Sequence, residues 1–178
     1  VNKHSDILPI RPPSGLRHEL PESAPTNLAE IRAILENVKD PEIPVLSIAE
    51  LGILQDVEMQ GETIIVTITP TYSGCPAMTV VEEDIQLALA TAGFSNVTVK
   101  TRLSPAWTTD WMSPFAREKL QAYGIAPPCK TADAGKAPSC PNCGSTEVRE
   151  ISAFGSTACK ALFQCQQCAE PFDYFKPY

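Results

Sequence analysis

Glu62-Thr-Ile-Ile-Val-Thr-Ile-Thr-Pro-Thr-Tyr-Ser-Gly-Cys-Pro76 is a β-branched run that stops at one proline, turns through a glycine and restarts at a second. The run over 62–69 reads as a strand, because branched side chains suit a pleated, half-buried surface. Pro76 fits the first position of a helix, where its missing N–H costs no hydrogen bond. Met78, Val81, Ile85 and Leu89 then recur at helical spacing, and Gly93 supplies a terminator. Beyond it, Asn96 to Arg102 alternates as a third strand. Strand, turn, helix and strand make the nucleus of a mixed domain.

Working upstream, Gly52 to Met59 reads as a strand joined to 62–69 by a hairpin at Gln60-Gly61. Leu28, Ile31, Ile34, Leu35 and Val38 share a helical face, with Asn27 and Glu30 at capping-box spacing. Asp40-Pro41 stops this helix, since the residue before proline avoids the α region. Downstream, Ser113-Pro114 reads as an N-cap with proline at the first helical position, and Gly124 as the stop. The order is α-β-β-α-β-α, an α+β domain over 27–128. Residues 1–26, with five prolines, read as a flexible arm, and 129–139 as a linker. Residues 140–178 are too few for a self-sufficient core and need a staple.

The staple is Cys140-Pro-Asn-Cys143 with Cys165-Gln-Gln-Cys168. Each pair can offer two sulfurs through a tight knuckle, and the 21 residues between can form a hairpin that brings the knuckles together. This is the spacing of a four-cysteine zinc ribbon. Four thiolates suit a structural Zn²⁺, although an iron or iron–sulfur centre in the same sulfurs is a second reading. Cys159, between the knuckles, reads either as a hairpin core residue or as an auxiliary, exchangeable thiol beside Lys160. Phe172, Tyr174, Phe175 and Tyr178 pack the ribbon or anchor a partner.

Cys75 marks a second site. At a strand-to-helix turn the backbone N–H groups and helix dipole favour thiolate, so it is a candidate nucleophile or metal ligand; the alternative is a buried structural cysteine. Asp40 and Glu42, between Pro41 and Pro44, are candidate cation ligands or turn-forming acids.

Composition narrows the function. The 178 residues carry 14 Lys+Arg against 21 Asp+Glu, a net charge of −7, which argues against nucleic-acid binding. No apolar run is long enough to span a membrane, and no secretory h-region is visible. Seven cysteines, an odd number, fit a disulfide framework poorly and a reducing cytoplasm better. The two histidines, His4 and His18, both precede the domain. The chain therefore lacks the Glu-x-x-His pairs of a di-iron oxygenase, and it has no Gly-rich dinucleotide loop for a reductase.

The motifs together carry a resemblance. Asp40-Pro-Glu-Ile-Pro44 with Thr71-Tyr-Ser-Gly-Cys75-Pro76 resembles the iron–sulfur assembly domain of SufT-type proteins and the eukaryotic cytosolic assembly targeting factor, over roughly 27–103. Pro105-Ala-Trp-Thr-Thr-Asp-Trp-Met112, Tyr123-Gly-Ile-Ala-Pro-Pro128, Phe154-Gly-Ser-Thr-Ala-Cys-Lys-Ala-Leu162 and Glu170-Pro-Phe-Asp-Tyr-Phe-Lys176 are similar to the PaaD family, accessory subunits of phenylacetyl-CoA epoxidase systems. That resemblance implies aerobic phenylacetate catabolism, a form of aromatic degradation. It implies a non-catalytic maturation factor that assists assembly of an iron or iron–sulfur centre in the oxygenase or reductase subunits. Cys75, Asp40 and Glu42 carry over as the motif residues, with transient iron or a cluster as cargo.

Two other functions are weighed against it. A structural subunit with no metal transfer would use Trp107, Trp111 and the terminal aromatics for association. A thiol–disulfide exchanger would pair Cys75 with Cys129 or Cys159, but it lacks a C-x-x-C beside the helix. One thiolate is too few for stable cluster ligation, so a homodimer sharing the site is a further expectation.

Overall fold

The β-branched run becomes the middle of a sheet because strands on both edges satisfy its backbone. In the computed structural model, which describes residues 28–129 and 136–178, β1 is Leu54–Gln60, β2 Thr63–Ile68 and β3 Val97–Thr101, in the order β1-β2-β3. β1 and β2 are antiparallel, whereas β2 and β3 are parallel. A parallel pair needs a crossover, and α2 (Ala77–Thr91) supplies it. Its Met78, Val81, Ile85 and Leu89 are buried together with Ile64, Val66 and Ile68 of β2 in one core. Gln60 pairs with Thr63, so the hairpin turn is Gly61-Glu62, one residue beyond the expected position. Gly61 has φ 63°, which suits the first central position of a tight hairpin turn.

The first helix, α1 (Leu28–Leu35), buries Ile31 and Leu35 against α2 and β1. It stops short of Asp40. Asn37 Nδ2 donates to Ala33 O at 2.8 Å, and the N–H groups of Asn37 and Val38 turn back to Ile34 O and Leu35 O. These tighter bonds close the helix and release residues 36–39 to a β-bridge between Lys39 and Ser47. The third helix, α3 (Pro114–Tyr123), has the expected ends: Ser113 Oγ accepts from Ala116 N at 3.0 Å, and Gly124 takes φ 89°.

Ile125–Ala126 forms β4, directly after α3, and joins the sheet of the C-terminal unit rather than that of β1–β3. With β5 (Val148–Ser152), β6 (Lys160–Cys165) and β7 (Pro171–Phe175) the order is β4-β7-β6-β5, and β4 runs parallel to β7. The cluster within the ribbon is small: Ala126, Cys140, Cys165, Phe172 and Tyr174. Cys159 and Phe175, by contrast, belong to the main core. The ribbon is thus tied down twice, by a strand and by side chains. The arm over 1–26, the cap at Asn27 and the linker residues 130–135 lie outside the described residues. Among the described residues no helix is long and apolar enough to cross a membrane.

Candidate metal centres

The ribbon cysteines converge as their spacing demands. The sulfurs of Cys140, Cys143, Cys165 and Cys168 all lie within 4.8 Å of one another. Cys140 and Cys168 sulfurs are 3.7 Å apart, and those of Cys143 and Cys165 are 3.5 Å apart. Tetrahedral Zn–S bonds of about 2.3 Å put sulfurs about 3.8 Å apart, so the donor set fits zinc. Gly144 takes φ 76° and Ala169 φ 63°, letting the chain turn tightly just after each knuckle. The Cys168 N–H points at Cys165 Sγ, 3.4 Å away, and this donor leads the effects that push the Cys165 thiol down to about 6. Against the Glu170 N–H, desolvation and the neighbouring sulfurs push Cys168, on the same knuckle, up to about 12, so a metal binding here must displace its proton.

The second site begins with the proline-bounded loop. Asp40 is buried, and its Oδ1 accepts from the N–H of Glu42 at 2.9 Å and of Ile43 at 2.7 Å. Burial raises its pKa, partly offset by those two donors. Asp40 therefore organises the turn, while the Glu42 carboxylate faces outward from it towards the ribbon.

Cys75 follows Gly74, whose φ of 85° makes the turn into α2. The helix-terminal environment does not yield a ready thiolate. Burial raises the Cys75 thiol above its usual value, and the N–H of Ala77 and the Tyr72 hydroxyl offset this only in part. The carboxylates of Glu42 and Asp40 raise it further. Sequence spacing gives no sign of this opposition, because the acids are 33 and 35 residues away in the chain. Tyr72, inside the same motif, is the neighbour that the motif itself could have revealed.

Cys159 reaches the same place from the other side. It is 4% exposed, with Sγ 3.6 Å from Glu42 Oε2 and 3.0 Å from Thr157 Oγ1. Burial pushes it up to about 11. The buried Lys160 directs Nζ to Glu42 O at 3.4 Å. Tyr178 feels both Cys159 and Cys75.

The aromatics hold this interface shut. Trp107 is buried, donates Nε1–H to Leu51 O at 3.1 Å, and packs against Phe175 and Tyr178 with ring centroids 6.1 and 6.2 Å away. Tyr178 O accepts from the N–H of Thr109 at 3.2 Å and from Thr108 Oγ1 at 3.0 Å. Arg117 braces the seat from α3, donating to Thr109 O at 2.7 Å and also to Pro128 O. Gly52 is obligatory beneath it: a Cβ there would stand 2.8 Å from Trp111 Cβ. The terminal aromatics divide, with Phe172 and Tyr174 filling the ribbon and Phe175 and Tyr178 clamping it to the first domain. Cys129 sits apart, its sulfur 3.6 Å from the Tyr174 hydroxyl.

Known proteins share both halves. An iron-sulfur cluster assembly protein model matches residues 28–101, and a PaaD zinc beta ribbon domain model matches residues 125–176. An Escherichia coli (strain K12) protein, named as a putative 1,2-phenylacetyl-CoA epoxidase subunit, is 51% identical over 156 residues, covering 86% of this chain and 94% of that one. The chain belongs to the PaaD family of phenylacetyl-CoA epoxidase subunits. Membership of the PaaD family spans both halves, whereas the first half alone has wider relatives. "Fe-S protein maturation auxiliary factor YitW" of Bacillus subtilis (strain 168) is 35% identical over 92 residues, 51% of this chain and 89% of that protein. A Bacillus anthracis crystal structure described as a domain of unknown function, DUF59, is 29% identical with a TM-score of 0.48, covering 52% of this chain and 89% of its own. The match to the PaaD ribbon model starts at Ile125, the first residue of β4, so this strand belongs with the ribbon in sequence as it does in the sheet.

Proposed function

We propose that this chain is the accessory subunit of a phenylacetyl-CoA epoxidase system and assists assembly of an iron or iron–sulfur centre in its partner subunits. The observation that carries this reading is the separation of two thiol sites. The four ribbon sulfurs form a closed set suited to a structural ion, with no position left for cargo. Cys75 stands outside that set, on an iron–sulfur assembly domain, beside two carboxylates. A thiol held protonated by burial and neighbouring acids becomes a ligand when a cation arrives to offset them. Cargo can then bind without being trapped.

A purely structural subunit would need its aromatics for partners. Trp107 and Phe175 are instead buried within the chain, although Phe115, Tyr123, Phe154 and Tyr178 remain exposed.

The test is co-expression with the oxygenase and reductase subunits, followed by purification without oxygen. With Cys75→Ala, iron and acid-labile sulfide in the partners should fall several-fold while ribbon zinc stays at one per chain. Partners fully loaded and fully active beside Cys75→Ala would overturn the proposal.

A further inference from the structure

Phe154 is held out in solvent by a loop that fixes it there. It is 66% exposed, as much as any large apolar side chain among the described residues. Its own N–H donates to Ser152 Oγ at 3.2 Å, and Gly155 N donates to Lys160 O at 2.8 Å. Ser156 grips Asp173 of β7 twice, from N at 3.2 Å and from Oγ at 2.6 Å. Gly155 lies so close to the sheet that a Cβ there would meet Asp173 Oδ1 at 2.3 Å. Just before the loop, the register of the edge strand β5 shifts between Glu150 and Ser152. The residue between them, Ile151, is 50% exposed, as expected where a bulge re-aims a side chain.

A cation stands over the ring. Lys176 Nζ is 4.6 Å from the Phe154 ring centroid and donates to Ala153 O at 3.2 Å. It makes no ion pair among the described residues. Phe115 of α3 offers the contrast. It is 57% exposed and also lies beneath a lysine, but Lys119 is neutralised by Glu50 at 2.6 Å.

We infer that Phe154, with Ile151 and Lys176, is the anchor by which the ribbon docks on a partner subunit of the epoxidase system, entering an apolar pocket rimmed by carboxylates. This rests on the accessory-subunit reading above and deepens it by naming the surface that finds the client. An aromatic side chain already fixed in place loses little freedom on binding, and a few such anchors carry most of the affinity of a protein interface. The Lys176 ammonium, lacking a carboxylate partner in a chain of net charge −7, calls for acidic groups around that pocket. Placement along the chain agrees. The first half is shared with relatives that end near it, whereas the ribbon marks the PaaD family. A surface that singles out one client belongs on the ribbon.

The test measures binding of the full, zinc-loaded chain to the purified oxygenase and reductase subunits. Phe154→Ala should weaken association with one of them about tenfold or more. Lys176→Gln should weaken it less and flatten its dependence on salt. Phe115→Ala should leave it unchanged. Ribbon zinc at one per chain certifies the fold of each variant. Co-expressed at a limiting level, Phe154→Ala should leave the partners short of iron, and raising its level should restore them. Raising the level of Cys75→Ala should not. Binding by Phe154→Ala equal to that of the unsubstituted chain, or Phe115→Ala as damaging as Phe154→Ala, overturns the docking site and leaves the maturation reading to stand on Cys75. An unsubstituted chain that binds neither the oxygenase nor the reductase subunits overturns both.

Discussion

The two thiol sites of this chain differ in how their ligands are held. The ribbon's four sulfurs come from two short knuckles on one sheet, and their sulfurs meet without help from the first domain. The other site draws on three separated stretches: the 40–44 loop, the turn before α2, and the loop between β5 and β6. The first arrangement is closed and local, as an ion that holds structure requires. The second lies in the main core, where Cys75 and Cys159 are buried and the Cys159 sulfur is 3.6 Å from Glu42 Oε2. Of the two, the ribbon alone has the geometry of a resident metal site among the described residues.

The largest effect that could break this contrast is loss of the ribbon ion. Structural zinc supplies folding free energy of order 10 kcal/mol in small domains. Chelation, or Cys165→Ser, should therefore abolish amide-exchange protection across β5–β7, while β1–β3 and α2 stay protected. Protection of β5–β7 that survives a metal-free preparation would show that packing alone holds the ribbon.

A smaller effect should come from the clamp. Trp107→Ala removes the ring that Phe175 and Tyr178 pack against, at a cost of about 3–5 kcal/mol for a large buried aromatic. Urea unfolding should show that loss, with ribbon zinc retained at low denaturant. A loss of zinc in step with Trp107→Ala would mean that the two sites are one cooperative unit, and the contrast would fail.

The smallest effect provides a control outside both thiol sites. Lys119 Nζ lies 2.6 Å from Glu50 Oε1, tying α3 to the 47–50 turn. Burial alone would raise the Glu50 pKa, but the bonds from Lys119 and the Ser47 N–H outweigh it and the net shift is downward. A depressed carboxyl contributes stability that is full above its unfolded value, near 4.5, and is lost as pH falls through the folded pKa. The pair should be worth about 1 kcal/mol or less, given its partial exposure. Melting curves of Glu50→Gln against the unsubstituted chain should differ at pH 7 and converge in acid, with zinc binding unchanged.

Local signals are legible in the sequence where one stretch of chain contains its own physics. The β-branched run, Pro76, Gly93, Ser113-Pro114 and Gly124 each dictate backbone shape to their immediate neighbours, and the elements begin and end near them. The ribbon is legible for the same reason, because each knuckle is a local turn. The α1 boundary is not, since the Asn37 side chain competes for the helix carbonyls before Pro41 can act. The partition of the aromatics is equally hidden. Phe172, Tyr174, Phe175 and Tyr178 are one cluster in sequence, yet strand alternation sends Phe172 and Tyr174 to the ribbon core and Phe175 to the main core, while Tyr178 beyond β7 lies against Trp107. Cys75 is visible as a candidate, but its raised pKa depends first on burial and then on carboxylates, and only the fold supplies either.

Chain separation has a kinetic side. The contact between Cys159 and Glu42 closes a loop of 117 residues, and that between Lys160 and Glu42 one of 118. Closing loops this long carries the greater entropic cost, so contacts of this kind form late in folding and open early in partial unfolding. Partial unfolding should therefore part Cys159 from Glu42 before the β1–β3 sheet opens.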